Sequence, residues 1–304
     1  MTNRRDFLGC MAWAGTGVLW TVAGGVASSI PLEAAAATKA AKVQPFSFVQ
    51  ISDTHIGFSK PPNPDPKATL GEALAKIAAL PQKPAFILHT GDITQLSKPS
   101  EFDDADQILK GAGLPIFFSP GEHDMLDPGR GQAFLDRYGK DAKGDGWYAF
   151  DHGGVHFVSL VTVKSFEAMG HLGEAQLAWL KDDLEARPAS QPIVVFTHMP
   201  LWTVYQPWGW GTDDAEQAMT LLRRFGSVTV LNGHIHQVQQ KVEGNLTFHT
   251  ARSTAFPQPA PGMGSPGPMP IAPDQLRTAI GIRSINVVKG AHSLALVDAP
   301  LAGG

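Results

Sequence analysis

Two kinds of hydrophobic pattern alternate along the chain. Short continuous apolar runs predict buried strands, and longer segments with apolar side chains every three or four residues predict amphipathic helices. In residues 69–80, for example, Leu70, Leu74 and Ile77 fall on one helical face. Strands are predicted over residues 45–51, 85–90, 115–119, 146–151, 155–161, 193–197, 228–231, 246–250 and 294–297, and helices over residues 69–80, 101–110, 174–186 and 214–225. Continuously apolar strands that alternate with helices predict an α/β fold with buried sheets.

Two segments interrupt this pattern with turn-forming residues. His152-Gly153-Gly154 separates two strands and predicts a hairpin between them. Residues 257–273 hold seven prolines and three glycines in seventeen positions. Proline removes a backbone donor and fixes φ, so this segment cannot be a helix or a central strand. We expect it to be a long surface loop.

Composition narrows the class of protein. The chain has 304 residues, 43% of them hydrophobic and 17% charged, which is typical of a globular protein. Its 24 basic and 28 acidic residues give a net charge of −4, which argues against binding of a nucleic-acid polymer by a basic surface. The only cysteine is Cys10. Disulfides, cysteine-based zinc sites and cysteine nucleophiles are therefore excluded from the body of the chain.

The first 37 residues are typical of an export signal. Asn3-Arg4-Arg5-Asp6-Phe7-Leu8 resembles the twin-arginine (Tat) consensus, an uncharged stretch follows, and small residues cluster at positions 34–37. We therefore predict a Tat signal peptide over residues 1–37 and one domain over residues 38–304, exported by the Tat machinery to the periplasm or beyond. No stable membrane span is expected after cleavage. An uncleaved membrane anchor and a lipoprotein attached through Cys10 are the alternatives.

Ionisable side chains follow five of the predicted strands. They are Asp53 and His55; Asp92; Glu122, His123 and Asp124; His198; and His234 and His236. Ligand sites in α/β sheets lie outside the carboxyl ends of strands, so we expect these loops to converge on one edge.

The donor types in these loops indicate metal binding. Carboxylate oxygens and imidazole nitrogens without sulfur suit manganese, iron, zinc or cobalt ions. About seven donors exceed what one tetrahedral zinc needs. They match two ions with a carboxylate between them, an arrangement that serves phosphoryl displacement.

Taken in order, the motifs DTH, GD, GEHD, TH and GHIH resemble those of the calcineurin-like metallophosphoesterase superfamily. The resemblance spans Asp53 to His236, and the layout is most similar to the cyclic-nucleotide and glycerophosphodiester phosphodiesterase branch. It implies a four-layer α/β/β/α sandwich of two mixed sheets flanked by helices. It also implies two divalent or mixed-valence metal ions. Asp53, His55 and His236 would bind the first metal, Asp92 would bridge both, and Glu122, His198 and His234 would bind the second.

The same resemblance implies the catalytic roles. A hydroxide that bridges the metals would be the nucleophile. His123 would donate a proton to the leaving oxygen or stabilise its charge. Asp124 would orient His123 by accepting a hydrogen bond from its other ring nitrogen.

Glu122 departs from the family pattern, in which an asparagine usually occupies this position. Glutamate is one methylene longer and carries a full negative charge. We hypothesise that Glu122 still binds the second metal and favours a harder or more highly charged ion. The rival interpretation is that Glu122 swings away and the second metal is weak or absent.

Three further parts of the chain are candidates for a place at the substrate site. The segment 201–211 follows the His198 strand and carries Trp202, Tyr205, Trp208 and Trp210. These rings could form a wall of the substrate cleft or simply pack the loop onto the body. His249 lies in a later strand that could run beside the site. Residues 257–273 could cover the same site or be inert.

The sequence therefore predicts a secreted phosphoesterase with two metal ions that acts on a small phosphorylated substrate. A phosphodiester is favoured. A phosphomonoesterase or a nucleotide-sugar or lipid pyrophosphatase would share the same motifs. A non-catalytic metal-binding envelope protein that lost turnover through Glu122 is the alternative from another class.

Overall fold

The computed structural model describes residues 18–23, 26–31, 43–163, 169–288 and 294–303. The chain divides into two compact units, residues 1–42 and 43–304. In the first unit, strands β1 (Val18–Ala23) and β2 (Val26–Pro31) pair antiparallel. The twin-arginine motif, the alanine cluster and the predicted 37/38 boundary lie outside the described residues. No helix in the described part of the chain is long and apolar enough to cross a membrane.

The second unit contains a five-stranded mixed sheet. Strands β3 (Phe46–Ile51), β4 (Ile87–His89) and β5 (Ile116–Phe118) run parallel. On the other side of β3, strand β12 (Gly281–Val287) pairs antiparallel with both β3 and β13 (Ala295–Pro300). The spatial order is β13-β12-β3-β4-β5. Because Ile51, His89 and Phe118 lie side by side in register, the loops that follow β3, β4 and β5 leave from the same edge.

A six-stranded mixed sheet forms the other half of this unit. Its strands are β6 (Tyr148–His152), β7 (Val155–Ser159), β8 (Ile193–Phe196), β9 (Val228–Asn232), β10 (Gln239–Glu243) and β11 (Leu246–Thr250). The spatial order is β10-β11-β9-β8-β7-β6, with a parallel centre and antiparallel outer strands. The predicted hairpin is confirmed, because β6 and β7 pair across a turn in which Gly153 and Gly154 have positive φ.

Helices cover the outer faces of both sheets. They are α1 (Pro66–Ala78), α2 (Pro99–Leu109), α3 (Gln132–Tyr138), α4 (Glu174–Glu185), α5 (Ala215–Leu222) and α6 (Leu276–Ala279). Leu70 of α1 and Phe102 of α2 share a core with Val49 of the five-stranded sheet. Leu180 of α4 packs in a separate core with Val195 of the six-stranded sheet.

A third core, rich in phenylalanine, lies between the two sheets. Phe48 and Phe86 come from the five-stranded half, whereas Phe157 and Phe196 come from the six-stranded half. The Phe48 and Phe86 rings stack at 5.1 Å, and Phe157 meets Phe48 edge-on at 5.4 Å. With helices outside and this core inside, the predicted α/β/β/α sandwich of two mixed sheets is confirmed.

The structure adds elements that the hydrophobic pattern does not predict. Strand β10 (QQKVE) is an edge strand without an apolar run. Strand β12 contains the buried Arg283, whose guanidinium pairs with Asp298 of β13 at 2.9 Å. Helices α3 and α6 are seven and four residues long, too short for a periodic pattern.

Candidate metal centre

The loops after β3, β4, β8 and β9 and the 3₁₀ turn after β5 bring the predicted metal ligands together. Backbone strain marks the same residues. Among the described residues, seven that are not glycine have positive φ, and five of these are Asp53, His55, Asp92, His234 and His236. Left-handed backbone costs about 1 kcal/mol or more outside glycine and concentrates at functional sites.

Asp53, His55 and His236 form the first donor cluster. His236 Nε2 lies 3.3 Å from Asp53 Oδ1 and 3.3 Å from His55 Nε2. One donor atom of each residue falls within 4.8 Å of the others, and all three side chains are buried. Asp53 Oδ1 also accepts a hydrogen bond from the His234 amide at 3.0 Å, which ties β3's loop to β9's loop.

Glu122, His198 and His234 form the second donor cluster. Glu122 Oε2 lies 2.9 Å from His198 Nε2, and Glu122 Oε1 lies 2.9 Å from His234 Nδ1. The longer glutamate side chain thus reaches the centre of its cluster and does not swing away from it.

Asp92 lies between the two clusters. Its Oδ2 is 3.6 Å from His55 Nε2 in the first cluster and 3.4 Å from His198 Nε2 in the second. Its Oδ1 accepts a hydrogen bond from the His123 amide at 2.9 Å. A carboxylate in this position is within reach of donors from both clusters.

The unsatisfied groups of the site fit cation binding. Asp53 Oδ2, Glu122 Oε2, His198 Nε2 and both ring nitrogens of His234 are buried and lack a hydrogen bond of good geometry. Buried polar atoms are normally hydrogen-bonded, and orphaned donors of metal-ligand type are explained when ions bind between them. Carboxylate and imidazole donors without sulfur suit divalent transition metals.

Burial and mutual charge set the protonation of these donors. Burial lowers the pKa of His55 to about 3, so its imidazole is neutral and able to coordinate. Burial alone would raise the pKa of Glu122, but the charges of His234 and His198 outweigh it and hold this pKa well below its usual range. The carboxylates are therefore ionised and matched to cations.

Backbone carbonyls orient two of the histidines. His198 Nδ1 donates to the Thr90 oxygen at 2.7 Å, and His236 Nδ1 donates to the Phe256 oxygen at 2.6 Å. With Nδ1 engaged in this way, Nε2 is the ring nitrogen that faces the carboxylates and that would coordinate a metal ion. The Phe256 ring also packs on His55 and His236, with centroids 4.7 and 4.8 Å apart. Nothing in the local sequence pattern singles out Phe256.

The predicted role of Asp124 is wrong. His123 Nδ1 donates to the Gln95 carbonyl oxygen at 2.7 Å, not to the carboxylate. Asp124 accepts instead from the amides of Ile93, Thr94 and Gly121 and from the Thr94 hydroxyl. It therefore ties the loop of Asp92 to the turn of Glu122 and His123. Burial, with the nearby Asp92 charge, raises the pKa of Asp124 to about 6.

Gly121 is required by close packing rather than by its backbone angles. A Cβ at this position would lie 2.1 Å from Asp92 Oδ1 and 2.4 Å from the Asp92 amide nitrogen. We expect Gly121→Ala to lower the free energy of unfolding by about 1–3 kcal/mol, measured by urea denaturation. Gly111→Ala is the matched control, because a Cβ there meets nothing within 4 Å. Equal urea midpoints for the two variants would contradict this expectation.

A cavity of about 640 Å³ opens onto the donors. Of the four predicted aromatic contacts, Trp208 and Trp210 line it, together with His123. Trp202 packs instead against the helix-side core of the six-stranded sheet, and Tyr205 packs edge-on against Trp208 at 5.2 Å. Gln258, Pro266, Gly267 and Pro268 bring the proline-rich segment to the cavity, and Phe58, Gln95, Met169 and Met199 also line it.

His249 lies in β11, opposite Gln240 of β10 and Leu231 of β9. It is not one of the residues that line the cavity. Burial, assisted by the Arg283 charge, lowers its pKa to about 4 and keeps the imidazole neutral. Substrate contact by His249 stays a prediction without support from this geometry.

Comparison with known proteins matches residues 46–238 to the family model described as calcineurin-like phosphoesterase. A 3′,5′-cyclic-nucleotide phosphodiesterase of Nostoc sp. is 23% identical over 218 residues, which are 70% of this chain and 79% of that protein. The glycerophosphodiester phosphodiesterase GpdQ of Enterobacter lignolyticus is 25% identical over 231 residues, 70% of this chain and 78% of that protein.

Solved structures support the fold. A dimetal phosphatase from Danio rerio superposes with a TM-score of 0.60 at 14% identity, covering 83% of this chain and 98% of that one. A purple acid phosphatase from yellow lupin superposes with a TM-score of 0.63 at 14% identity, covering 86% and 52%.

Proposed function

We propose that this chain, which belongs to the calcineurin-like phosphoesterase family, is a metal-dependent hydrolase that cleaves a small phosphodiester with two metal ions. The observation that carries the proposal is the position of Asp92, whose Oδ2 lies within 3.6 Å of one histidine from each donor cluster. The preference for a diester is supported by the phosphodiesterases among its relatives.

The residues of the site have different roles in such a reaction. Asp53, His55 and His236 would hold one ion, Glu122, His198 and His234 the other, and Asp92 would contact both. When bound, the ions supply Lewis acidity toward the phosphoryl oxygens and a nucleophile derived from water. Because His123 Nδ1 donates to the Gln95 carbonyl oxygen, Nε2 is the atom that would carry the proton for the leaving oxygen.

The test is hydrolysis of bis(4-nitrophenyl) phosphate and of 4-nitrophenyl phosphate by the full chain. Metal content is measured beside activity. Chelation should abolish diester hydrolysis, and Mn²⁺ should restore it, with kcat/KM for the diester about tenfold or more above that for the monoester. Fully loaded protein that hydrolyses only the monoester would overturn the diester assignment. Loaded protein that hydrolyses neither would overturn the enzymatic proposal in favour of a non-catalytic metal-binding protein.

Glu122 makes the second donor cluster more negative than an asparagine would. We expect Glu122→Asn to bind the second ion more weakly or to change which metal is retained, because one negative charge within contact of two imidazoles is removed. Metal identity and stoichiometry after exposure to a mixture of Mn²⁺, Fe²⁺, Zn²⁺ and Co²⁺ measure this. Glu122→Gln keeps the length of the side chain and removes its charge, so it distinguishes the effect of the charge from the effect of side-chain length. Identical metal content in all three proteins would contradict a special role.

Export by the Tat pathway is a further part of the proposal, supported by Arg4 and Arg5 in the motif at the amino terminus. Replacement of both arginines by lysine should leave the protein in the cytoplasm of a bacterial host. An unchanged periplasmic fraction would show that another route carries it.

A further inference from the structure

The lining of the cavity includes two chemically different sets of residues, besides the polar side chains of Gln95, Gln206 and Gln258. One set is the metal donors and His123. The other is apolar, and we call it the apolar wall: Met169, Met199, Trp208, Trp210, Pro266 and Pro268. The volume of about 640 Å³ lies in the range that small organic ligands occupy in proteins. The site therefore has room for more than a phosphate group, and much of that room is bounded by apolar atoms.

The aromatic part of the apolar wall has a firm support. Trp210 is 1% exposed and meets the half-buried Trp208 edge-on, with centroids 5.0 Å apart. Tyr205 also contacts Trp208 edge-on, with centroids 5.2 Å apart. The backbone of Tyr205 and Trp210 is joined by hydrogen bonds, so the turn that carries Trp208 is closed on itself. A ring held in this way offers a surface for another ring with little loss of conformational entropy.

The proline-rich part of the apolar wall is fixed to the metal centre. Gln258 Nε2 donates to the His234 carbonyl oxygen at 2.8 Å, and Gln258 Oε1 accepts from the Gly267 amide at 2.9 Å. Gln237 Nε2 donates to the carbonyl oxygens of Gln258 and Pro259. Gln258 thus connects the loop that carries His234 to Gly267, which lies between Pro266 and Pro268. The proline-rich segment therefore forms part of the cavity wall.

The charge of the cavity lining also favours a substrate with uncharged ester groups. Among residues 43–163, 169–288 and 294–303, no lysine or arginine side chain lines the cavity. Apart from the cations of the metal centre and the protonated form of His123, no group in this described lining carries a positive charge that would neutralise a second phosphate or another anionic group on the substrate. A phosphodiester with a single negative charge and uncharged ester groups matches this lining.

We infer that the apolar wall binds one ester group of the substrate, that this group carries a planar aromatic ring, and that Trp208 selects for it. The inference rests on the proposed phosphodiesterase function and adds the class of ester group that the site prefers. An aryl ester and a nucleoside ester both supply such a ring.

The experiment compares three diesters that share the 4-nitrophenolate leaving group: methyl, phenyl and thymidine 5′-(4-nitrophenyl) phosphate. The variants are Trp208→Ala and Trp208→Phe, with Met169→Ala as a second probe of the wall. Met263→Ala is its matched control, because Met263 belongs to the proline-rich segment, is 70% exposed and does not line the cavity. For each protein, kcat/KM for the phenyl or the thymidine diester is divided by kcat/KM for the methyl diester. This ring-to-methyl ratio is then compared between variant and wild type, so that the intrinsic reactivity of each substrate cancels.

Trp208→Ala should lower the ring-to-methyl ratio about tenfold, mainly through KM, and Trp208→Phe should restore most of it. An effect on the phenyl ester assigns the ring to an aryl group, and an effect confined to the thymidine ester assigns it to a base. The inference is overturned, and the proposed function left standing, by an unchanged ratio for both together with an unchanged kcat/KM of Trp208→Ala for the methyl diester, whose only ring is the 4-nitrophenyl group. Hydrolysis of none by metal-loaded protein overturns the proposed function.

Binding gives a readout that needs no turnover. Calorimetry on the metal-loaded full chain should show diphenylphosphinate, a singly charged mimic that cannot be hydrolysed, binding about tenfold more tightly than dimethylphosphinate, with the difference lost in Trp208→Ala. Equal affinities of the two phosphinates for the metal-loaded wild type would overturn the inference whatever the activity.

Discussion

Replacement of Asp92 by alanine is expected to lower kcat for diester hydrolysis about a thousandfold or more and to remove at least one metal ion per chain. Asp92 is the carboxylate that lies within reach of both donor clusters. Its loss would take one ligand from each cation and would remove one of the carboxylates that face His55 and His198. Activity and metal content measured on the same preparation test this expectation.

A second variant separates the charge of Asp92 from its structural role. Asp92→Asn keeps an oxygen that can accept from the His123 amide, which the wild-type Oδ1 does at 2.9 Å. If the lost activity is due to the charge of Asp92, the Asp92→Asn and Asp92→Ala variants should lose similar amounts of activity. Asp104→Asn is the control, since Asp104 pairs with Lys67 on exposed surface. Full metal content together with normal turnover in Asp92→Ala would remove the basis of the two-metal proposal.

Replacement of His123 by asparagine is expected to lower kcat about 10²–10⁴-fold while metal content stays unchanged. The ring lies beside the donors, with its centroid 4.8 Å from that of His55, and its backbone carbonyl accepts from the Ser97 hydroxyl at 2.7 Å. Burial alone would lower the pKa of His123, but the charges of Asp92 and Glu122 raise it above its usual value. The protonated form that an acid catalyst needs is thereby favoured.

The leaving group shows whether the lost function is proton donation. An alkoxide needs a proton far more than 4-nitrophenolate does, so the loss in His123→Asn should be larger for a substrate with an alkyl leaving group. His171→Asn is the matched control, because His171 is exposed and pairs with Asp213 away from the cavity. An equal loss for both leaving groups would assign His123 to binding or charge stabilisation instead.

The parts of this molecule that the sequence predicts are those governed by local pattern. Strand β8 is a run of four buried apolar residues, and the strand and the position of His198 after it follow from that run. Strand β10 has no such signal, because alternate residues face solvent and its partner β11 supplies the pairing.

The site is predictable to the extent that motifs follow strands in register. The seven candidate ligands are found together because the ends of β3, β4 and β5 align and those of β8 and β9 do as well. Phe256 and Gln258 lie far along the chain from most donors and reach them only through tertiary packing, so no spacing rule identifies them. Sequence does not identify the role of Asp124, because adjacency in sequence says little about which acceptor a side chain meets. The Gln95 carbonyl oxygen takes the position instead.

The left-handed backbone of Asp53, His55, Asp92, His234 and His236 has a consequence for directed evolution of this protein. Glycine relaxes such a conformation, so selection for thermostability alone would reward substitutions at these turns while discarding the donors. Selection for stability therefore favours glycine at these five positions, whereas selection for turnover favours the present side chains. When no metal is present to stabilise the native state by binding, a library screened only for resistance to heat should drift toward folded variants that have lost the ability to bind metal.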